Sequence, residues 1–179
     1  MIAEPPLVRR ALALAEGLGW ERSCSAEAGR LLHALAAQRG RTRVGEIGTG
    51  CGVGTAWLAS ALPPGVPLLT AEVDARLAGA AAGLFASDPD VRVLHGDWWD
   101  TLAGEAPFDL LFVDAAAAKA DVRAAGLLAP GGTVVLDDLT PGREGADPVR
   151  ELWLGGRAVL GVELRLSARE GAIVAVRAL

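Results

Sequence analysis

A chain of 179 residues with 51% apolar and 22% charged residues can bury a substantial core, and is expected to form a single domain over residues 1–179. Its net charge of −5 disfavours nucleic acid as a partner, because such affinity depends on neutralising phosphates. No apolar run reaches the length of a membrane span, the first six residues lack a leader pattern, and two cysteines are too few for a disulfide framework, so no membrane association and a cytoplasmic location are expected.

The N-terminal forty residues predict two helices: Leu7–Gly17, then one capped by Ser25 and stopped by Gly40. A first strand, Arg43–Ile47, runs into a glycine-dense turn and a helix that ends near Leu62 before Pro63-Pro64-Gly65. Pro67–Glu72 reads as the second strand, Ala75–Ala86 as a helix, Val91–Leu94 as the third strand and Asp109–Val113 as a buried fourth. A helix over Lys119–Leu128 leads to the fifth strand, Thr133–Leu136. A helix from Asp147-Pro148 to Leu154 then precedes two alternating runs, Val159–Leu166 and Ala172–Arg177, joined as a hairpin. Strands alternating with helices imply an α/β fold, a doubly wound Rossmann-like sheet that here ends in an antiparallel β-hairpin.

The turn itself is Glu46-Ile47-Gly48-Thr49-Gly50-Cys51-Gly52-Val53-Gly54. The dinucleotide pattern G-x-G-x-x-G fails in both registers, since the third glycine would fall on Val53 or Thr55. A carboxylate at position 46 would repel a pyrophosphate and attract an ammonium or sulfonium group. The pattern E-x-G-x-G-x-G resembles motif I of class I S-adenosylmethionine-dependent methyltransferases. The resemblance covers the chain from about Ser23 onward and implies a seven-stranded sheet of order 3-2-1-4-5-7-6. It also implies that Glu46 faces the methionine end of S-adenosylmethionine and that Gly48, Thr49, Gly50 and Gly54 form the turn beneath its ribose.

In such folds ligands lie outside the carboxyl ends of the strands. The second strand ends in Glu72-Val73-Asp74, where Glu72 matches the family's ribose-binding acid and Asp74 suits a helix cap. The third ends in His95-Gly96-Asp97-Trp98, where the resemblance places Gly96, Asp97 and Trp98 about the adenine. The fourth ends in Asp114, and the fifth in Asp137-Asp138 before Thr140-Pro141-Gly142. This pair of strand ends resembles the catechol and caffeoyl-CoA O-methyltransferase branch, which implies a divalent metal on Asp114, Asp137 and Asp138. Three hard oxygen ligands suit Mg²⁺, Mn²⁺ or Ca²⁺. Asp137 and Asp138 as plain turn residues are the competing reading.

Lys119 is the only lysine among 17 basic residues. With Asp114 it forms the expected catalytic pair, as general base or as partner of the acceptor's oxyanion. The branch's lysine follows its aspartate more closely; here Ala115–Ala118 intervene, and the direction of Lys119 is open. The leading function is O-methylation of a small-molecule acceptor with metal assistance. The alternatives are a metal-independent methyltransferase with an Asp or Lys base and a non-catalytic S-adenosylmethionine-binding module. A nucleotide-dependent oxidoreductase is disfavoured by Glu46. The N-terminal segment around Ser23-Cys24-Ser25 and the Thr140–Ala146 loop are expected to set the acceptor, and the hairpin edge with Trp153 to serve any homodimer.

Overall fold

The computed structural model describes residues 4–156 and 158–179. In chain order the elements are helices α1 (Pro6–Gly17) and α2 (Ala26–Ala36), strand β1 (Val44–Ile47), α3 (Val53–Ala59), β2 (Leu68–Glu72), α4 (Ala75–Phe85) and β3 (Val91–His95). They continue with α5 (Trp98–Leu102), β4 (Phe108–Val113), α6 (Ala116–Lys119), α7 (Arg123–Gly126), β5 (Leu128–Leu139), α8 (Pro148–Leu154), β6 (Val159–Arg165) and β7 (Gly171–Arg177). The seven strands form one sheet of order β3-β2-β1-β4-β5-β7-β6, parallel from β3 to β5 and antiparallel through β7 and β6, as expected.

Alternation along the central strands divides the core into two faces. Leu110, Phe112 and Val135 point with Val44 and Leu68 toward α1, α2, α3 and α4. Leu111, Val113, Val134 and Leu136 point with Ile47 toward α5, α6, α7 and α8. Among the described residues, no helix is long and apolar enough to cross a membrane.

Two expectations need correction. The helix over Lys119–Leu128 is broken into α6 and α7, because Asp121 accepts from the Arg123 amide and binds the Arg123 guanidinium, an alternative to continuing the helix. Trp153 is not available to a dimer: it is fully buried beneath the sheet, and its Nε1 donates to the Lys119 carbonyl at 2.7 Å. Helix α5 was not foreseen; Asp97 caps it through the Trp99 amide. Ser25 and Asp74 cap α2 and α4 as expected.

Helix α2 meets α3 at Gly29, where an added Cβ would lie 2.1 Å from the Trp57 indole nitrogen. Gly29→Ala is therefore expected to lower stability by about 1–3 kcal/mol through overpacking, read from chemical denaturation; unchanged stability would mean that Trp57 can move aside.

Candidate active site

The glycine turn is fixed to β2 before it reaches any ligand. The amides of Gly48 and Thr49 donate to the Ala71 carbonyl, and the Gly50 amide donates to Glu72 Oε2 at 2.8 Å. Gly48 has φ 95°, and an added Cβ there would meet the Ala115 amide nitrogen at 2.9 Å, so both backbone conformation and space demand glycine. Glu72 also accepts from the Asp74 amide through Oε1, which fixes both carboxylate oxygens at the end of β2.

A cavity of about 620 Å³ opens over the C-terminal ends of the parallel strands. One end is walled by Gly48, Gly50, Glu72, Val73, Gly96, Asp97 and Trp98. The other end is walled by Asp114, Lys119 and Asp138, with Ala115–Ala118 between. Wall residues that the sequence did not single out include Trp20 and Arg22 before α2, and Arg143 and Val149 beyond β5. Their signal lay in position, since the first pair adjoins Ser23-Cys24-Ser25 and Arg143 sits within the Thr140–Ala146 loop.

Three residues from the expected cofactor set lie elsewhere. Glu46, Thr49 and Gly54 are behind the turn and do not border the cavity. Glu46 alternates with Ile47 and faces α3, where its Oε2 is bonded to the hydroxyls of Thr55 and Thr70. Burial pushes its carboxyl up from 4.5 to about 8, opposed by those two hydroxyls and reinforced by Asp137 and Glu72. Glu46 is thus a buried acid whose carboxyl is pushed toward its neutral form and which does not line the cavity.

The acidic cluster is assembled by backbone irregularity. Neighbouring residues of a regular strand face opposite ways. The β5–β7 register shifts between Leu136 and Leu139, and Asp138 takes φ 55°, which L-residues seldom adopt. Asp137 is buried and Asp138 exposed, yet each offers a carboxylate oxygen within a group that includes Asp114, all within 4.8 Å of one another.

Lys119 points into this cluster. The one-turn helix α6 compresses the alanine spacer to about 6 Å of rise, where an extended chain would carry the side chain about 13 Å away. Lys119 Nζ donates to the Asp137 carbonyl at 2.8 Å and to Asp137 Oδ1 at 3.1 Å, and stands 3.8 Å from Asp114 Oδ1. Burial pushes the carboxyls of Asp114 and Asp137 up, with repulsion from Asp137 acting on Asp114 and from Asp138 on Asp137, while the Lys119 ammonium opposes both shifts. Asp137 Oδ2 is buried without a hydrogen-bond partner, an orphan that calls for a proton or a cation. Cys24 and Cys51 are buried packing residues.

The expected adenine end is shaped by stacking. The Arg123 guanidinium carbon lies 5.3 Å from the Trp98 ring centroid and 5.1 Å from that of Trp99, holding Trp98 at the cavity wall. Asp97 keeps its place in the wall while serving as the α5 cap.

Comparison with known proteins agrees with this arrangement. Residues 46–139 match a family described as a methyltransferase domain. A Mycobacteroides abscessus protein provisionally named an O-methyltransferase is 33% identical over 129 residues, 67% of this chain; the matched region spans 60% of that relative. The O-methyltransferase TomG of Streptomyces achromogenes, solved with S-adenosylmethionine, superimposes with a TM-score of 0.81 at 29% identity, covering 100% of this chain and 92% of TomG. A Bacillus cereus O-methyltransferase reaches a TM-score of 0.84 over 99% of this chain and 93% of its own, and at 24% identity it speaks for the fold alone. The strand order, the glycine turn and the family match agree, and the chain belongs to the class I S-adenosylmethionine-dependent methyltransferases.

Proposed function

We propose that this protein transfers the methyl group of S-adenosylmethionine to an oxygen of a small hydroxylated acceptor. One observation carries the reading: a single cavity joins the glycine turn and Glu72 at one end to Asp114, Lys119 and Asp138 at the other. Glu72 is oriented to accept the ribose hydroxyls, and Trp98 offers the adenine an apolar face. Oxygen as the acceptor is supported by the relatives named as O-methyltransferases.

The chemistry needs an in-line approach of the acceptor oxygen to the sulfonium methyl, with transfer of that methyl and loss of the hydroxyl proton. Orientation alone contributes about 7–11 kcal/mol in well-ordered systems. Lys119 is bound as a donor to a carbonyl and a carboxylate, so its role is that of an ammonium opposite the developing oxyanion. The acceptor's proton passes to a carboxylate of the cluster, Asp114, which lines the cavity 3.8 Å from Lys119 Nζ. The products are the methyl ether and S-adenosylhomocysteine.

A divalent cation fits the same cluster. Asp114, Asp137 and Asp138 present hard oxygens, and the orphaned Asp137 Oδ2 supplies an unused acceptor. Such an ion would lower the pKa of a coordinated hydroxyl and fix its position. A metal-free reading rests on Lys119, whose ammonium already stands among the carboxylates and can neutralise the oxyanion itself.

Three outcomes are expected. Calorimetry should show S-adenosylhomocysteine binding and no NAD binding; the reverse would remove the proposal. Glu72→Ala should weaken S-adenosylhomocysteine by about 10–100-fold, the value of one or two charge-assisted hydrogen bonds, with retained affinity showing that Glu72 does not hold the ribose. With a catechol as probe acceptor, chelator should abolish methylation and Mg²⁺ restore it, and Asp114→Asn should lower kcat about 100-fold or more. Activity indifferent to chelator but lost in Lys119→Met would select the metal-free reading.

A further inference from the structure

Arg123 has no part in the proposed reaction and does not line the cavity, yet it touches what holds both of its ends. Its guanidinium carbon stands 5.3 Å from the Trp98 ring centroid and 5.1 Å from that of Trp99. The two indoles meet edge to face, 5.8 Å apart at 80°. A cation at such a distance is attracted by the π face of a ring, and here one cation serves two rings. Trp98 walls the end of the cavity expected to take the adenine, and Trp99 is turned outward. Asp97 and Asp100, on either side of the indoles in the chain, act on the same guanidinium.

The second hold of Arg123 is on the segment that carries Lys119. Asp121 Oδ1 accepts from the Arg123 amide at 2.9 Å and from Nε at 3.1 Å, and Oδ2 accepts from Nε at 3.0 Å and from Nη2 at 2.7 Å. This is a fork-shaped pair, which the point charge of an ammonium does not reproduce. The Asp121 amide donates to the Ala118 carbonyl at 3.1 Å, so the residue that grips Arg123 also closes the turn in which Lys119 lies. Where that turn closes decides the direction of the lysine side chain. Trp153 holds the Lys119 carbonyl from α8, and Asp121, two residues on, is held toward α5 through Arg123.

We propose that Arg123 is a positioning residue that braces the two ends of the cavity against each other. Through Trp98 and Trp99 it sets the adenine wall, and through Asp121 it fixes the chain break that directs Lys119 into the acceptor end. The inference rests on the cavity being the S-adenosylmethionine site. The Arg123 side chain is 51% exposed, so its replacement leaves the buried core intact.

The test compares wild type with Arg123→Met, which keeps the apolar stem and removes the guanidinium, and Arg123→Lys, which keeps the charge without the fork. Lys119 is the only lysine of the chain, so protein labelled with ¹³C at lysine Cε gives a single side-chain signal that identifies itself. In Arg123→Met that signal should shift or split, and S-adenosylhomocysteine affinity should fall about 3–5-fold, with the denaturation midpoint close to that of wild type. Arg123→Lys should show both effects. A weakened cofactor with an unchanged Lys119 signal overturns the brace, as does a changed signal with full affinity. Full recovery in Arg123→Lys would reduce the residue to a bare charge, and a large fall in the denaturation midpoint would make it a folding residue; either contradicts the proposal. Failure of wild type to bind S-adenosylhomocysteine would instead remove the cofactor assignment. The brace is then still read in ligand-free Arg123→Met, from the Lys119 signal and from fluorotryptophan signals of Trp98 and Trp99, all of which should move; unmoved signals would overturn it.

Discussion

The site depends on one ammonium group holding together carboxylates that would otherwise repel. Lys119 Nζ lies among Asp114, Asp137 and the Asp137 carbonyl, so the ends of β4 and β5 approach without a bare cluster of negative charge. The lysine is itself held, since Trp153 donates to its carbonyl from α8 across the buried face of the sheet. A tryptophan far along the chain therefore fixes a side chain at the cavity wall. Like charges so close would cost too much without either this cation or a shared proton.

The same logic operates at the other end of the cavity with neutral partners. Glu46 has no cationic side chain beside it among the described residues, and burial pushes its carboxyl up against the lowering effect of the threonine hydroxyls bound to it. Glu72, at the rim, receives backbone N–H groups from Gly50 and Asp74 and borders the cavity. Two glutamates on adjacent strands thus stand differently: Glu46 is buried behind the turn, and Glu72 borders the cavity. The β1–β2 register sets Glu46 opposite Thr70, so both glutamates share one face of the sheet, and Glu72 stands two residues nearer the carboxyl ends of the strands.

The fold was legible because alternating strands and helices with glycine and proline punctuation admit few windings, and the terminal hairpin showed in Val159–Arg177. The strand-end acids were legible because a carboxylate after a buried apolar run has one place to go. Alternation from Val44 places Glu46 on the face covered by α3. The turn of Lys119 into the site could not be read from spacing, because it requires the chain to coil at Ala116 and stop at Asp121. The left-handed Asp138 was equally hidden, since nothing local distinguishes it from an ordinary turn residue. Burial of Trp153 depends on packing between α8 and the sheet, which no local pattern encodes.

The proposed reaction requires one cavity to orient a methyl donor toward the Asp114–Lys119–Asp138 end. The most direct measurement is a crystal structure of the protein with S-adenosylhomocysteine and Mn²⁺. The account predicts the ribose on Glu72, the adenine beside Trp98, the sulfur facing Asp114 and Lys119, and a manganese anomalous peak among the three aspartates. A sulfur directed away from Lys119, or a ligand that leaves the Gly48–Gly50 turn untouched, would contradict it.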